Sequence, residues 1–488
     1  MTPPPPLRLD DARQRIRSER ARTGRRTVVL DDDPTGSQSV HGVEVVLDLA
    51  PEQLRRALEG PGSCCFALTN SRSLPPVDAS RLTGSVTRAA LDVVASLAVS
   101  SGTPPAVDLV SRSDSTLRGH VVEEVEAMAA ALREHTGRGP DGVLFVPAFP
   151  EAGRFTSGDV HHAVLDGVPV PIAETEFARD ATFGFRTSNL RELLAERSGG
   201  RVPAETVRSI SLEDIRAGGP DRVATLLGEV TGGDWVVVNA VDHADLEVVV
   251  LGLLEAQRAG RTFLHRTGPS FVRALTGIEP RPPLTPDDVW PHGRPAGHGL
   301  VVVGSHVGLT SAQVEHLTGG RDVERVELSV AAVTDRRRHR EHVEEVGRNV
   351  ARALRQRDVV LVTSRTLVRA EDGEASLAIA RAVSEALTQV VRAAVAARPA
   401  WVVAKGGITS HDVAVHGLGI RRAAVVGQFL PGMVGLLRPL DADPGAVGTP
   451  YVVFAGNVGD ERTLHDVVQV VAGDSAGDGA GTSTGGGA

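Results

Sequence analysis

The chain is 488 residues long, more than one ordinary hydrophobic core accommodates, so at least two domains are expected. Hydrophobic residues make up 41% and charged residues 23%, as in a globular enzyme, while aromatics at 3% leave the packing to Val, Leu and Ala. A net charge of −9 speaks against a nucleic-acid partner, and the sequence has neither an eighteen-residue apolar run nor an apolar signal core at its start, so no membrane partner and a cytoplasmic location are expected.

Residues 1–25 are rich in proline and charge and read as a flexible N-terminal arm or a short helix. From there, short β-branched runs at 27–30, 43–47, 64–69, 107–110, 143–146, 235–239 and 262–264 alternate with helical patterns at 78–98, 121–133, 190–196 and 244–258. Near-continuous apolar strands between helices predict α/β architecture with a mostly parallel sheet covered on both faces. Cys64 and Cys65 are adjacent within one such run, poor disulfide partners, and read as buried core thiols. Six prolines between 279 and 298 mark a linker. Strand runs then resume at 300–304, 323–328, 359–363, 401–404, 423–426 and 451–454, with helical patterns at 344–357 and 375–397. The expected organisation is a ligand-binding domain over 26–278, the linker, a second α/β domain over 299–472, and a Gly/Ser/Thr tail over 473–488 that is disordered by composition.

Chemistry is concentrated where strands end, which is where ligands of open α/β sheets sit. The first strand runs into Asp31-Asp32-Asp33-Pro34-Thr35-Gly36. Three carboxylates there repel one another unless a cation or a proton separates them, and Asp33 or Asp32 would serve as a base for a hydroxyl. A capped helix start is the plain alternative. The strand at 107–110 leads to Ser111-Arg112-Ser113-Asp114-Ser115-Thr116-Leu117-Arg118-Gly119, where Arg112 and Arg118 offer forks for a carboxylate or phosphate and Asp114 and Ser115 suit sugar hydroxyls. A third strand end gives Pro147-Ala148-Phe149-Pro150 and then Arg154. The neighbouring His161-His162 pair lacks a third ligand and reads as structural or solvent-facing rather than metal-binding.

In the second domain three glycine turns follow strands: Gly304-Ser305, Lys405-Gly406-Gly407-Ile408-Thr409, and Phe454-Ala455-Gly456. Together they suggest a crevice for a nucleotide, with bare N–H groups and a helix start facing an anion. Lys405, the sole lysine of the chain, stands where its ammonium could meet a phosphate; a surviving lysine of no special role is the alternative. No P-loop motif and no dinucleotide Gly-x-Gly-x-x-Gly motif follows the first strand of either domain.

Asp32-Asp33-Pro34-Thr35-Gly36, Asp114-Ser115-Thr116-Leu117-Arg118-Gly119, Pro147-Ala148-Phe149-Pro150 with Gly153-Arg154, and Gly406-Gly407 resemble, in order, the motifs of the four-carbon acid sugar kinase family. The resemblance covers about residues 26–470. It implies an N-terminal domain for an acid sugar, a C-terminal domain for ATP with Mg²⁺, and phosphorylation of a terminal hydroxyl of a tetronate or 3-oxo-tetronate. It assigns substrate contacts to Asp32, Asp33, Arg112, Asp114, Ser115, Arg118 and Arg154, and ATP contacts to Ser305, Gly406, Gly407, Thr409, Gly432 and Gly456. The metal ligands are left unassigned, and a homodimer is compatible with it. Two departures stand out: Ile408 replaces the family's usual Asp after Gly-Gly, and Arg112 stands where a Lys is frequent. Another nucleotide-dependent phosphotransferase or ligase, or a sugar-acid sensor without turnover, are the competing functions.

Overall fold

The computed structural model describes residues 3–33, 36–60, 62–97, 105–304, 308–364 and 373–474. The chain forms two compact units, one of residues 1–282 with 421–433, the other of 283–420 with 434–488.

The main strands of the first unit are β1 (Arg26–Asp31), β2 (Glu44–Val46), β3 (Cys64–Leu68), β4 (Val107–Arg112) and β5 (Gly142–Val146). A small antiparallel sheet follows, β6 (Arg154–Ser157), β7 (Val160–Leu165) and β8 (Val168–Pro171), and then β9 (Arg208–Ile210), β10 (Asp234–Val238) and β11 (Phe263–Thr267). The large sheet runs β2-β3-β1-β4-β11-β5-β10-β9, all parallel. Every residue of β1, β3, β5 and β11 is buried, as the unbroken apolar runs required. On one face Val28, Leu30, Ala67 and Leu109 pack with Leu54, Leu91, Val94 and Met128 from the helices Pro51–Leu58, Pro76–Ser96 and Glu123–Thr136. Because all these strands are parallel, their carboxyl ends share one edge.

The second unit orders β13 (Val323–Leu328), β14 (Asp358–Thr363), β12 (Leu300–Val303), β15 (Val402–Lys405) and β18 (Tyr451–Phe454) in parallel, with β17 (Gly435–Asp441) antiparallel at the side of β18. Both units are therefore α/β with mostly parallel sheets, as the alternation of patterns predicts.

Four boundary expectations change. Residues 12–23 form a packed helix rather than a flexible arm: Ile16 is fully buried, and Arg20 is buried on Asp108 at 2.8 Å. The linker over 279–298 does not stand free. Glu279 binds Arg13 and Arg17 at 2.7 Å each in the first unit, whereas Leu284 and Val289 are core residues of the second. The domain expected over 299–472 is interrupted, because 421–433 belongs to the first unit. That segment carries β16 (Arg422–Gln428), which pairs antiparallel with β2 and anchors Arg422 on Glu44 at 2.5 Å. Its apolar run reads like any other strand, and nothing local in it names the sheet it joins. Of the tail, Gly473 and Asp474 are described and Asp474 pairs with Arg321, while 475–488 lies outside the described residues.

Candidate functional site

At the strand-end edge of the first unit, one residue organises the charges. Arg72 follows β3 in a short helical turn that opens on Asn70 in the left-handed conformation, φ 49°. Its guanidinium takes Asp32 through two nitrogens at 2.7 and 3.2 Å, Asp33 at 3.0 Å, and stands 3.8 Å from Asp114. Burial works against its charge, but Asp32, Asp33 and Asp114 outweigh it and raise its pKa. Arg72 was not picked out by the sequence, since Ser71-Arg72-Ser73 carries no motif.

The Asp string after β1 divides by environment. Asp31 is fully enclosed beside Arg112 at 3.2 Å, and burial pushes its carboxyl up to about 7 although Arg112 opposes the shift. Asp32 is 1% exposed, between Arg72 and Arg112. Asp33 is the open one at 26%. Pro34 and Thr35 lie outside the described residues. A Cβ on Gly36 would come 2.1 Å from Asp31 and 2.3 Å from Arg112, so the turn closes over that pair only with glycine.

After β4, Asp114 accepts from the Thr116 hydroxyl at 2.6 Å, the Thr116 N–H at 2.9 Å and Arg118 at 2.5 Å. Burial works against ionisation of Asp114, but Arg72 and Arg118 outweigh it and hold the carboxyl well below its usual range. Arg118 is 35% exposed. Arg112, expected as a substrate fork, is instead 3% exposed and committed to Asp31 and Asp32. Ser115 is buried, and its carbonyl accepts from His161 at 2.8 Å, which makes that histidine structural as expected. Arg154 opens β6, stacks over Phe177 at 5.6 Å, and feels the charges of Asp114 and Arg118. The structure thus brings Asp32, Asp33, Arg112, Asp114, Arg118 and Arg154 together.

Beneath this cluster lies a layer the sequence did not reveal. Arg266 of β11 and Glu124 meet at 2.6 Å in full burial, and Ser71, Ser111 and Ser113 bond to the pair. The two partners are far apart in sequence, and only the fold joins them.

In the second unit the glycine turns converge. A Cβ on Gly304 would meet the Thr409 hydroxyl at 2.2 Å. Gly406, at φ 122°, caps the helix Gly407–Asp412 and donates to Phe454 O at 2.8 Å. Thr310 donates to Gly456 O at 3.0 Å. Gly407 has open space where a Cβ would go. Lys405 is fully buried; its Nζ donates to Ala455 O at 2.8 Å and Gly456 O at 3.1 Å and lies 3.9 Å from the Phe454 ring centre. The expected open ammonium is thus turned onto the neighbouring loop. Burial pushes its pKa down to about 7. Ser305 lies outside the described residues. Gly432, expected beside the nucleotide, belongs to the first unit, where a Cβ would come 2.8 Å from the Phe149 ring. Cys64 and Cys65 are free and buried. No helix among the described residues is long and apolar enough to cross a membrane.

Two solved structures share the fold. One is a Salmonella typhimurium LT2 protein provisionally named a tRNA synthase, 17% identical, covering 90% of this chain and 98% of its own, with TM-score 0.64. The other is a Haemophilus influenzae protein of a domain-of-unknown-function family, 18% identical, covering 91% and 99%, with TM-score 0.61. No curated protein matches the sequence. Two family models match in succession: a sugar-binding N-terminal domain over residues 27–275 and a nucleotide-binding C-terminal domain over 300–464. The first spans half of the chain by itself, and the two together give the architecture of the four-carbon acid sugar kinase family, to which this chain belongs.

Proposed function

We propose that the protein is an ATP-dependent kinase that phosphorylates a terminal hydroxyl of a short sugar acid, a tetronate or 3-oxo-tetronate. The reading rests on one observation above all: around Arg72 an accessible carboxylate, Asp33, and an accessible fork, Arg118, stand at one strand-end edge of the sugar-binding unit. A sugar acid needs both. Its carboxylate takes the planar donors of Arg118, with Arg154 nearby, while its hydroxyl hands a proton to Asp33. Asp32 and Arg112 are too enclosed to touch substrate and hold the frame. Asp114, drawn to Arg72 and Arg118, keeps both guanidiniums oriented.

ATP belongs to the glycine turns of the second unit, where Gly407 leaves room for phosphate against the helix start, Gly304 packs on Thr409, and the Gly456 carbonyl is held by Thr310 and Lys405. Phosphoryl transfer depends on positioning and charge neutralisation, for which bare N–H groups and fixed dipoles suffice on the protein side. Mg²⁺ reaches such sites mainly on the phosphates of ATP. Among the described residues no three carboxylate, histidine or cysteine groups converge on a metal position, so no step is assigned to the ion.

A panel of tetronates, 3-oxo-tetronates and branched analogues with ATP tests the reading. Acid-dependent ADP release, with a phosphate ester seen by phosphorus NMR, is expected for one class of acid. Nucleotide binding with no turnover on any of them would leave a sugar-acid binding protein in place of a kinase.

A further inference from the structure

We propose that the buried Glu124–Arg266 pair is the positioning element of the sugar-acid site. Arg266 spreads two guanidinium nitrogens over three partners. One nitrogen donates to Glu124 and to the Ser111 hydroxyl, each at 2.6 Å; the other donates to the Ser113 hydroxyl at 2.6 Å. Ser113 in turn donates to the carbonyl oxygen of Arg118 at 2.9 Å. Glu124 accepts from Ser71, the neighbour of Arg72, at 2.5 Å, and from Ser111 at 2.9 Å. One ion pair therefore pins both arginine-bearing segments, the turn after β3 and the loop after β4. A Cβ on Gly119 would come 3.2 Å from Arg266 and 2.8 Å from Asp32, so the loop lies directly on the pair.

The two side chains are 1% and 4% exposed and present nothing to a ligand, so they act through the residues they hold. Stability alone is a weak reason for such a pair, since well-packed apolar residues often replace buried ions without loss, whereas removing one partner strands a buried charge. Orientation of Arg72 and Arg118 is what the apolar replacement cannot supply. The inference rests on the reading above for the identity of the ligand, but not for the positioning.

The test compares Glu124→Leu/Arg266→Met with wild type. In amide hydrogen exchange on the ligand-free protein, the double variant should exchange on the order of tenfold faster over 69–74 and 111–121, with 402–405 unchanged. With ATP and whichever acid of the panel turns over, KM for the acid should rise on the order of tenfold to a hundredfold while KM for ATP holds. Arg266→Lys should not rescue, because an ammonium cannot reach Glu124 and Ser113 together. Ser113→Ala, which cuts only the arm to Arg118, should speed exchange over 111–121 without lowering Tm, and it carries the test should the double variant fail to accumulate. Wild-type exchange over 111–121 in both variants would overturn the proposal. That arm needs no ligand, so a chain that phosphorylates none of the acids would sink the kinase reading and leave the positioning decided.

Discussion

The carboxylates at the end of β1 show how far residue type leads and where environment takes over. Three consecutive aspartates at a strand end are legible in the sequence as a charge cluster, but their different environments are not, because these depend on which residue the fold encloses. Asp33→Asn should lower kcat by ~10²-fold or more with Tm unchanged, read in steady-state assays with the acid that turns over; an unaltered kcat would move the base elsewhere. Asp31 makes a different prediction. Its carboxyl is raised from 3.8 to about 7 in the fold, chiefly by burial. Between those values the folded chain holds a proton that the unfolded chain has lost, so stability falls as pH rises through that window. Asp31→Asn should flatten this part of the profile in denaturant unfolding of the first unit at pH 4.5 and 7.5. An undiminished slope would assign it to other groups. Lys405 is legible as a feature, while a strand end does not reveal that its side chain bends onto Ala455 and Gly456. Lys405→Met should weaken nucleotide binding about tenfold by releasing that loop, as one charge-assisted contact is worth ~1.5–3 kcal/mol. Calorimetry with ATP decides it, and an unchanged Kd removes the lysine from the site.

Among the elements, the parallel strands were the most legible, because buried strands must be apolar throughout. The small sheet β6–β8 and the short β9 were not, since Arg154, His161, His162 and Arg208 break the pattern that a core strand would show. The loop after β4 was legible by its residues, while its shape rests on contacts from Arg72 in the turn after β3 and from Arg266 of β11. Leu117 at φ 68° and Gly119 at φ 105° give it two left-handed positions, and only the second lies where a side chain would strike Asp32. Gly119→Ala should therefore cost ~1–3 kcal/mol in unfolding free energy and raise KM for the acid, measured by denaturant titration and initial rates. A variant with wild-type stability would mean that the loop has room to shift.

For the molecule as a whole, two α/β units could be read from the alternation of patterns, and a proline-rich break over 279–298 from composition, within which the unit boundary falls at 282. The return of 421–433 could not, because strand pairing between distant segments leaves no local trace. Residues 1–282 produced alone should lack β16, leave the edge of β2 unpaired and melt without cooperativity or aggregate. The same fragment joined through a short flexible linker to 421–433 should regain a cooperative transition in calorimetry. A fragment of 1–282 that already melts sharply would show β16 to be dispensable.

The same detour sets a clock for biosynthesis. When residue 282 leaves the ribosome, the first unit still lacks a strand that will not exist until the intervening 283–420 has been made. At ordinary elongation rates that wait is on the order of ten seconds, long compared with the folding of a small domain. Throughout it the backbone of Glu44–Val46 presents free N–H and C=O groups to any passing extended chain. The second unit, begun later, reaches its own last strand only some twenty residues after the first is completed, at Tyr451–Phe454. The two units are thus completed within a short stretch of synthesis of each other, and the nascent chain is most in need of a chaperone in the interval before it.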